Sequence, residues 1–125
     1  MTATNGSPTI FLVDDDDFVR ESLTALLEAH EFKVEAFACG QDFLSQRNGH
    51  AAGCLLLDIH MPGLSGLDLL KRLRAEQQTT PAILITGRRD RAIEEQAKAL
   101  GAIALLDKPV PRTALLAALR QALPA

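Results

Sequence analysis

The chain is short, rich in apolar residues and slightly acidic. It has 125 residues, 47% of them hydrophobic and 23% charged, with a formal net charge of −3. This length suits one domain that buries a core without crosslinks, and 2 cysteines are too few for a disulfide framework. The sequence shows no secretory signal and no membrane-spanning apolar stretch, and its acidity argues against nucleic-acid binding by this domain. We therefore expect a cytoplasmic single domain.

Five short segments are predicted to be β-strands. Four of them are apolar runs without periodicity, which is typical of strands covered on both faces. The remaining segment, KVEAF (33–37), alternates apolar and polar residues and is expected at an edge of the sheet. The four apolar runs are IFLV (10–13), LLL (55–57), AILIT (82–86) and AIALL (102–106).

Amphipathic segments between these strands are predicted to be helices. The first covers roughly 17–30, where Asp17 is placed to cap its start, and the fifth opens at Pro111 and ends at Pro124. Leucines of the fifth helix exceed what one packing face needs, which suggests an apolar dimer surface next to the fourth helix. The second helix is short and follows Gly40. The third runs from about Leu67 to Glu76, and the fourth runs from near Asp90 to Gly101.

This alternation of strands and helices predicts an α/β fold. Strand–helix–strand units with right-handed crossovers give a parallel sheet with helices on both faces. With segment 33–37 at an edge, we expect a flavodoxin-like, doubly wound five-stranded sheet in the order 2-1-3-4-5, with five helices. Such a sheet binds ligands at the carboxyl ends of its strands where the winding reverses, here between strands one and three.

Polar side chains are expected to collect at this edge of the sheet. Strand one ends in an aspartate run at 14–17 and strand three ends in Asp58, so at least three carboxylates meet. Carboxylates this close must take up protons or share a cation, and Mg²⁺ prefers oxygen ligands. Strand four ends in the hydroxyl of Thr86, and strand five leads to the ammonium of Lys108. Together these groups predict phosphoryl transfer with an aspartate nucleophile.

Each of these residues also has an ordinary structural interpretation when it is taken alone. An aspartate after a strand is most often a turn or cap residue, Thr86 is a β-branched strand end, and Lys108 is a solvated charge. The aspartate run could be a solvated loop that caps a helix. Their joint placement at four strand ends favours the functional interpretation.

Four motifs in this order resemble the receiver domains of two-component response regulators. They are IFLVDDDD (10–17), LLLDIHMPGLSG (55–66), AILITGRRD (82–90) and LLDKP (105–109). The Ile-Thr-Gly stretch is similar to that of nitrogen-fixation (FixJ-like) regulators. The resemblance covers a receiver domain at 9–123, after a flexible leader at 1–8, and we expect no output domain in this chain.

The resemblance implies a role for each polar residue. Asp58 would accept the phosphoryl group, Thr86 would follow that group when it arrives, and Lys108 would hold one of its oxygens. The peptide bond between Lys108 and Pro109 would be cis.

The resemblance also implies a ligand set for Mg²⁺. Asp15 and Asp58 would bind the ion directly, the backbone carbonyl of His60 would complete the protein ligands, and Asp14 would act through water. The loop beyond Asp58 would be shaped by Met61, Pro62 and Gly66.

Three positions around the site are expected to tune the switch. Many receivers carry an aromatic residue three positions before the lysine, where this chain has Leu105. We expect phosphorylation to survive this difference and coupling to the fourth helix and fifth strand to change. His60 and Arg88 occupy variable positions that tend to tune the lifetime of the phosphoryl group. Arg88 either pairs with that group or is an exposed loop side chain.

The leading functional hypothesis is a signalling switch rather than a turnover enzyme. A sensor histidine kinase would phosphorylate Asp58, and the surface of the fourth helix, fifth strand and fifth helix would change to control a partner, a homodimer or transcription. Self-phosphorylation and self-dephosphorylation would be weak. One alternative is a pseudo-receiver that acts without phosphorylation. A phosphatase of the haloacid dehalogenase type is disfavoured, because that chemistry needs a second aspartate where this chain has His60.

Overall fold

The structure is a computed structural model that describes residues 9–46 and 52–123. The expected leader at 1–8 and the predicted helix end at Pro124 lie outside the described residues. Strands and helices alternate through the described ranges. They are β1 (Thr9–Val13), α1 (Asp17–Ala29), β2 (Lys33–Phe37), α2 (Gly40–Gln46), β3 (Ala52–Asp58), α3 (Gly66–Ala75), β4 (Ala82–Thr86), α4 (Arg91–Ala99), β5 (Ala104–Asp107) and α5 (Arg112–Ala122).

The strands form one parallel sheet in the order β2-β1-β3-β4-β5. This order confirms the predicted flavodoxin-like, doubly wound α/β fold, with segment 33–37 at an edge. Val13 lies opposite Leu57, and Asp58 lies opposite Ile85. The carboxyl ends of β1, β3 and β4 therefore reach the same edge of the sheet.

Apolar side chains cover both faces of the sheet because successive residues of a strand point to opposite sides. Phe11 and Val13 of β1 face a layer that α2, α3 and α4 complete. Ile10 and Leu12 face a second layer that α1 and α5 complete. Two-sided burial explains why the inner strands are apolar throughout, and it leaves the strand ends as the places where polar residues gather.

The cap of α1 lies one residue before the predicted one, although the helix begins at Asp17 as expected. The helix cap is Asp16, whose Oδ1 accepts a hydrogen bond from the backbone N–H of Val19 at 3.0 Å. The backbone N–H of Asp16 in turn donates to Oδ1 of Asp14 at 2.9 Å. This turn places Asp16 at the cap position, so the prediction that Asp17 caps the helix was wrong.

Two predictions about burial also need correction. The fifth strand covers Ala104–Asp107 and its apolar residues are only half-buried, because β5 is the second edge of the sheet. The leucines of α5 are core residues: Leu115, Leu116 and Leu119 are buried and Leu123 is half-buried. The predicted excess of exposed apolar surface on α5 is therefore not found in the described part of the helix.

No helix within 9–46 or 52–123 has the length and apolar character needed to cross a bilayer.

Candidate functional site

Three carboxylates meet where β1 and β3 end. Asp14 follows β1, and its backbone N–H donates to the carbonyl of Phe37, the last residue of the neighbouring strand β2, at 3.1 Å. Asp58 is the last residue of β3, and both side chains are buried, with exposed fractions of 0% and 1%. Asp15 is exposed, and one carboxylate oxygen of each of the three residues lies within 4.8 Å of the others. The sheet thus brings together the three predicted acidic ligands.

Backbone donors orient one oxygen of each buried carboxylate and leave the other oxygen facing the site. Oδ1 of Asp58 accepts a hydrogen bond from the backbone N–H of His60 at 3.2 Å. In the same way, Oδ1 of Asp14 accepts one from the backbone N–H of Asp16. Oδ2 of Asp14 and Oδ2 of Asp58 are buried, and no backbone N–H of the described residues donates to them. Both lie at ion-pair distance from Nζ of Lys108, at 3.1 and 3.2 Å respectively.

The electrostatics of this cluster favour an additional cation. Burial, and after it the charge of Asp14, raise the pKa of Asp58 to about 6, although Lys108 and the backbone N–H of His60 act to lower it. Burial lowers the pKa of Lys108, but Asp14 and Asp58 more than offset this effect and raise that pKa above its ordinary value. One ammonium group pairs with two of the three carboxylates, so negative charge is left uncompensated.

These residues fit a hard divalent cation such as Mg²⁺. The donors are carboxylate oxygens, which Mg²⁺ prefers, and the two buried ones share a single ammonium group, that of Lys108. Buried carboxylates are costly unless enough positive charge pairs with them. Asp14, Asp15 and Asp58 are thus suitable ligands, while the carbonyl of His60 and the water-mediated role of Asp14 stay predictions.

The hydroxyl and the lysine are brought to the same edge by β4 and β5. Thr86 is the last residue of β4 and is buried, and its carbonyl accepts the backbone N–H of Lys108 at 2.9 Å. That bond aligns the residue after β5 with the end of β4. The peptide bond between Lys108 and Pro109 is cis, as the resemblance implied. A cavity of about 400 Å³ is lined by Asp58, His60, Gly87, Arg88 and Lys108.

A contact between His60 and Thr86 was not predicted from the sequence. Nε2 of His60 lies 2.8 Å from Oγ1 of Thr86, and the same oxygen accepts a hydrogen bond from the backbone N–H of Arg88 at 3.0 Å. The sequence places His60 and Arg88 near the site, but only the loop conformations after β3 and β4 decide which polar atoms meet.

Leu105 and Arg88, two of the three residues expected to tune the switch, lie in different surroundings. Leu105 is half-buried and packs against the apolar layer that contains α4, away from the cavity. The side chain of Arg88 lines the cavity, is exposed, and forms no ion pair among the described residues. Arg88 is therefore free to meet an anionic group at the cavity.

Arg89 is a structural residue that the sequence analysis missed. Its guanidinium forms ion pairs with Asp107 at 3.1 Å and Glu94 at 3.3 Å, and it donates to the backbone carbonyl of Leu105. These contacts connect the loop after β4 to α4 and β5. The contacts with Asp107 and Leu105 are identified only by spatial proximity, since these partners are distant in sequence.

Gly66 permits the close approach of α3 to the end of β3. A Cβ atom at this position would lie 2.2 Å from the carbonyl oxygen of Asp58 and 2.8 Å from its carbonyl carbon. The backbone N–H of Gly66 donates to the carbonyl of Ile59 at 3.1 Å. A residue with a side chain would displace the backbone that carries Asp58, which agrees with the expected shaping of this loop.

An apolar groove lies next to Lys108, outside the predicted site. Phe18 is 78% exposed, directly after the aspartate run, and it lines a cavity of about 330 Å³ together with Leu26, Pro109 and Val110. Lys108 lies at the border of this groove as well as of the site cavity. The helical pattern of α1 leaves Phe18 off the apolar face, but it gave no signal of the groove.

Comparison with known proteins supports one family. Residues 10–120 match the family described as response regulator receiver domain. The chain is 41% identical over 120 residues to the transcriptional regulatory protein FixJ of Bradyrhizobium diazoefficiens, a match that covers 93% of this chain and 58% of FixJ. It is 38% identical over 114 residues to the response regulator protein TodT of Pseudomonas putida, covering 91% of this chain and 50% of TodT.

A solved structure gives the same result. The crystal structure of FixJ-N is similar with a TM-score of 0.84 and 31% sequence identity, and the match covers 98% of this chain and 94% of that one. The chain spans 50–58% of the length of the two curated relatives.

Proposed function

Because the chain belongs to the response regulator receiver domain family, we propose that it is a phosphorylation-dependent signalling switch with Asp58 as the phosphoacceptor. The observation that carries this proposal is the convergence of three carboxylates and Lys108 at the strand ends. A sensor histidine kinase is the proposed donor, and Mg²⁺ is the proposed cofactor.

In the proposed reaction, a carboxylate oxygen of Asp58 attacks the phosphorus atom of a phosphohistidine. The new O–P bond forms as the P–N bond breaks, and the imidazole leaves with the electron pair of that bond. A bound Mg²⁺ would neutralise charge on the transferring group. The backbone N–H of His60 orients the carboxylate, and Lys108 holds a phosphoryl oxygen with its ammonium group.

Proposed signalling begins when the phosphoryl group replaces the carboxylate at the end of β3. Thr86 moves towards this group, and the loop after β4 moves with it because Thr86 is the last residue of the strand. Arg89 connects that loop to α4 and β5, so the surface formed by α4, β5 and α5 changes. This shift of a two-state equilibrium is read by a partner, which we propose to be a second copy of the chain or a transcriptional output module.

The groove beside Lys108 supports docking of a protein donor. Phe18 is 78% exposed at the edge of an apolar groove, and contiguous exposed apolar surface is typical of protein interaction sites. The groove adjoins the cavity that contains Asp58, so a helix seated on Phe18 would reach the phosphoacceptor with its own histidine. We propose that the kinase makes its apolar contacts here.

The alternative is a pseudo-receiver, a domain with the same fold that acts without phosphorylation. It predicts that a partner binds the unphosphorylated chain at full affinity. The presence of Asp14, Asp15, Asp58, Thr86 and Lys108 favours the switch. We further propose that the protein has no ordinary enzymatic turnover, apart from weak self-phosphorylation and self-dephosphorylation.

The proposal is tested by intact mass after incubation with acetyl phosphate and Mg²⁺. We expect one added phosphoryl group in the wild type, and none in Asp58→Asn or in the presence of EDTA. Asp15→Asn should need more Mg²⁺ for the same yield, whereas Asp17→Asn, from the same aspartate run, should behave as the wild type. A folded wild type that binds Mg²⁺ and gains no phosphoryl group would favour the pseudo-receiver.

A further inference from the structure

The side chain of His60 links the ends of β3 and β4. Its Nε2 atom lies 2.8 Å from Oγ1 of Thr86, a normal hydrogen-bond distance. Its backbone N–H donates to Oδ1 of Asp58 at 3.2 Å. One residue therefore contacts the proposed phosphoacceptor through its backbone and the proposed switch hydroxyl through its ring.

The hydroxyl of Thr86 already has two partners without a phosphoryl group. Thr86 is buried, and Oγ1 accepts the backbone N–H of Arg88 at 3.0 Å in addition to its contact with His60. A hydroxyl offers one donor and two acceptor positions, and the imidazole accepts or donates according to its tautomer. In either tautomer the ring holds Oγ1 in place, and movement of Thr86 towards the phosphoryl group breaks this contact.

We propose that His60 is a positioning residue that holds Thr86 in the resting conformation. This inference rests on the proposed function, since it names the group that competes with the phosphoryl oxygens for the hydroxyl of Thr86. Loss of the His60–Thr86 hydrogen bond then favours the active conformation. One neutral hydrogen bond shifts such an equilibrium by about threefold to tenfold.

The two variants of His60 that test this proposal are similar in size and differ in polarity. His60→Leu removes the polar ring atoms, whereas His60→Gln keeps an amide at about the reach of Nε2. His60 is exposed, so neither change opens the core. Thr86→Val removes the hydroxyl and keeps the β-branched shape, and a double-mutant cycle with His60→Leu isolates the contact between the two side chains.

The first measurement is made without metal or phosphoryl donor. Three-bond couplings to the γ-methyl group of Thr86, measured by NMR, report its χ1 angle. We expect one rotamer in the wild type and in His60→Gln, and averaging between rotamers in His60→Leu. The same single rotamer in His60→Leu would overturn the proposal. This result does not depend on whether Asp58 accepts a phosphoryl group.

The second measurement is the affinity for beryllofluoride with Mg²⁺, a stand-in for the phosphoryl group, followed through backbone amide shifts. We expect binding that is about threefold to tenfold tighter in His60→Leu and nearly unchanged in His60→Gln. In the Thr86→Val background, His60→Leu should have no effect. An equal effect in both backgrounds would overturn the proposal. Failure of the wild type to bind beryllofluoride would count against the proposed function, and the χ1 measurement would still decide the role of His60.

Discussion

Nζ of Lys108 lies 3.2 Å from Oδ2 of Asp58, although two helices and two strands separate these residues in the sequence. The parallel sheet creates this relationship, because strands β3 and β5 both deliver their carboxyl ends to one edge. The ammonium is the only cationic side chain within ion-pair distance of the buried carboxylates of Asp14 and Asp58 among the described residues. It is therefore the side chain that offsets the charge of these two carboxylates in the resting site.

Replacement of Lys108 by methionine is expected to slow phosphorylation strongly. The variant loses the cation that faces Asp58 and that would hold a phosphoryl oxygen, so the initial rate with acetyl phosphate should fall by about 100-fold. Intact mass measured over time gives this rate. Lys71→Met, an exposed lysine of α3, is the matched control and should stay within about twofold of the wild type. Equal rates in the two variants would contradict the role of Lys108.

The buried charge of Asp58 is expected to destabilise the metal-free protein at neutral pH. Its pKa is raised from 3.8 to about 6, so the folded state holds a proton that the unfolded state releases at lower pH. This contribution to stability is complete below pH 3.8 and is lost as the pH rises through about 6. The loss amounts to about 1–3 kcal/mol at pH ~7.

Urea unfolding of the wild type and Asp58→Asn in EDTA measures this effect. The variant should be the more stable protein at neutral pH, and its advantage should shrink as the pH falls towards 4, where Asp58 is protonated in the folded wild type. A stability difference that is independent of pH would contradict the raised pKa of Asp58.

Replacement of Gly66 by alanine is expected to damage both stability and phosphorylation. The new Cβ would lie 2.2 Å from the carbonyl oxygen of Asp58, so α3 and the end of β3 must separate. We expect a loss of about 1–3 kcal/mol in the free energy of unfolding and a lower phosphorylation rate. Gly87→Ala is the control for stability, because its Cβ would meet no atom within 4 Å. Equal stability of the two variants would show that the close approach at Gly66 is not needed.

Replacement of Phe18 by serine is expected to slow phosphorylation by a histidine kinase and not by acetyl phosphate. The rate with acetyl phosphate should stay near that of the wild type, because the side chain lies outside the cavity of Asp58. The kinase donor is chosen from a panel as the one that phosphorylates the wild type fastest. The rate of phosphoryl transfer from this kinase to the variant should fall by about fivefold or more. Glu21→Ala, an exposed residue of α1 that does not line the groove, is the control. Unchanged transfer from the kinase would refute the docking proposal.

The strand order and the positions of the candidate site residues were predictable from the sequence. Apolar runs such as AILIT (82–86) identify inner strands, and the alternation in KVEAF (33–37) identifies an edge, so few topologies remain. Parallel strands then force residues that follow β1, β3, β4 and β5 to one edge of the sheet. The roles of these residues in phosphorylation stay predictions until they are measured.

Features that depend on loop conformation were not predictable. Any member of the aspartate run could cap α1, and the turn that Asp14 forms with Asp16 decides the outcome. The contact of His60 with Thr86 depends in the same way on two loops that lie far apart in the sequence. Helical periodicity leaves Phe18 off the apolar face of α1, but it cannot show that this side chain borders a groove with Pro109 and Val110, which lie far away in the sequence.

The position of the phosphoryl group is the most direct test of the account. Acyl phosphates are reduced by borohydride to alcohols, so a phosphorylated aspartate becomes homoserine, which peptide mass spectrometry can locate. After incubation with acetyl phosphate and Mg²⁺, we predict homoserine at position 58 alone, with Asp14 to Asp17 unchanged, and no homoserine when EDTA is present. Homoserine within residues 14–17, or a stable phosphoryl group with no homoserine at position 58, would contradict the assignment of Asp58 as the phosphoacceptor.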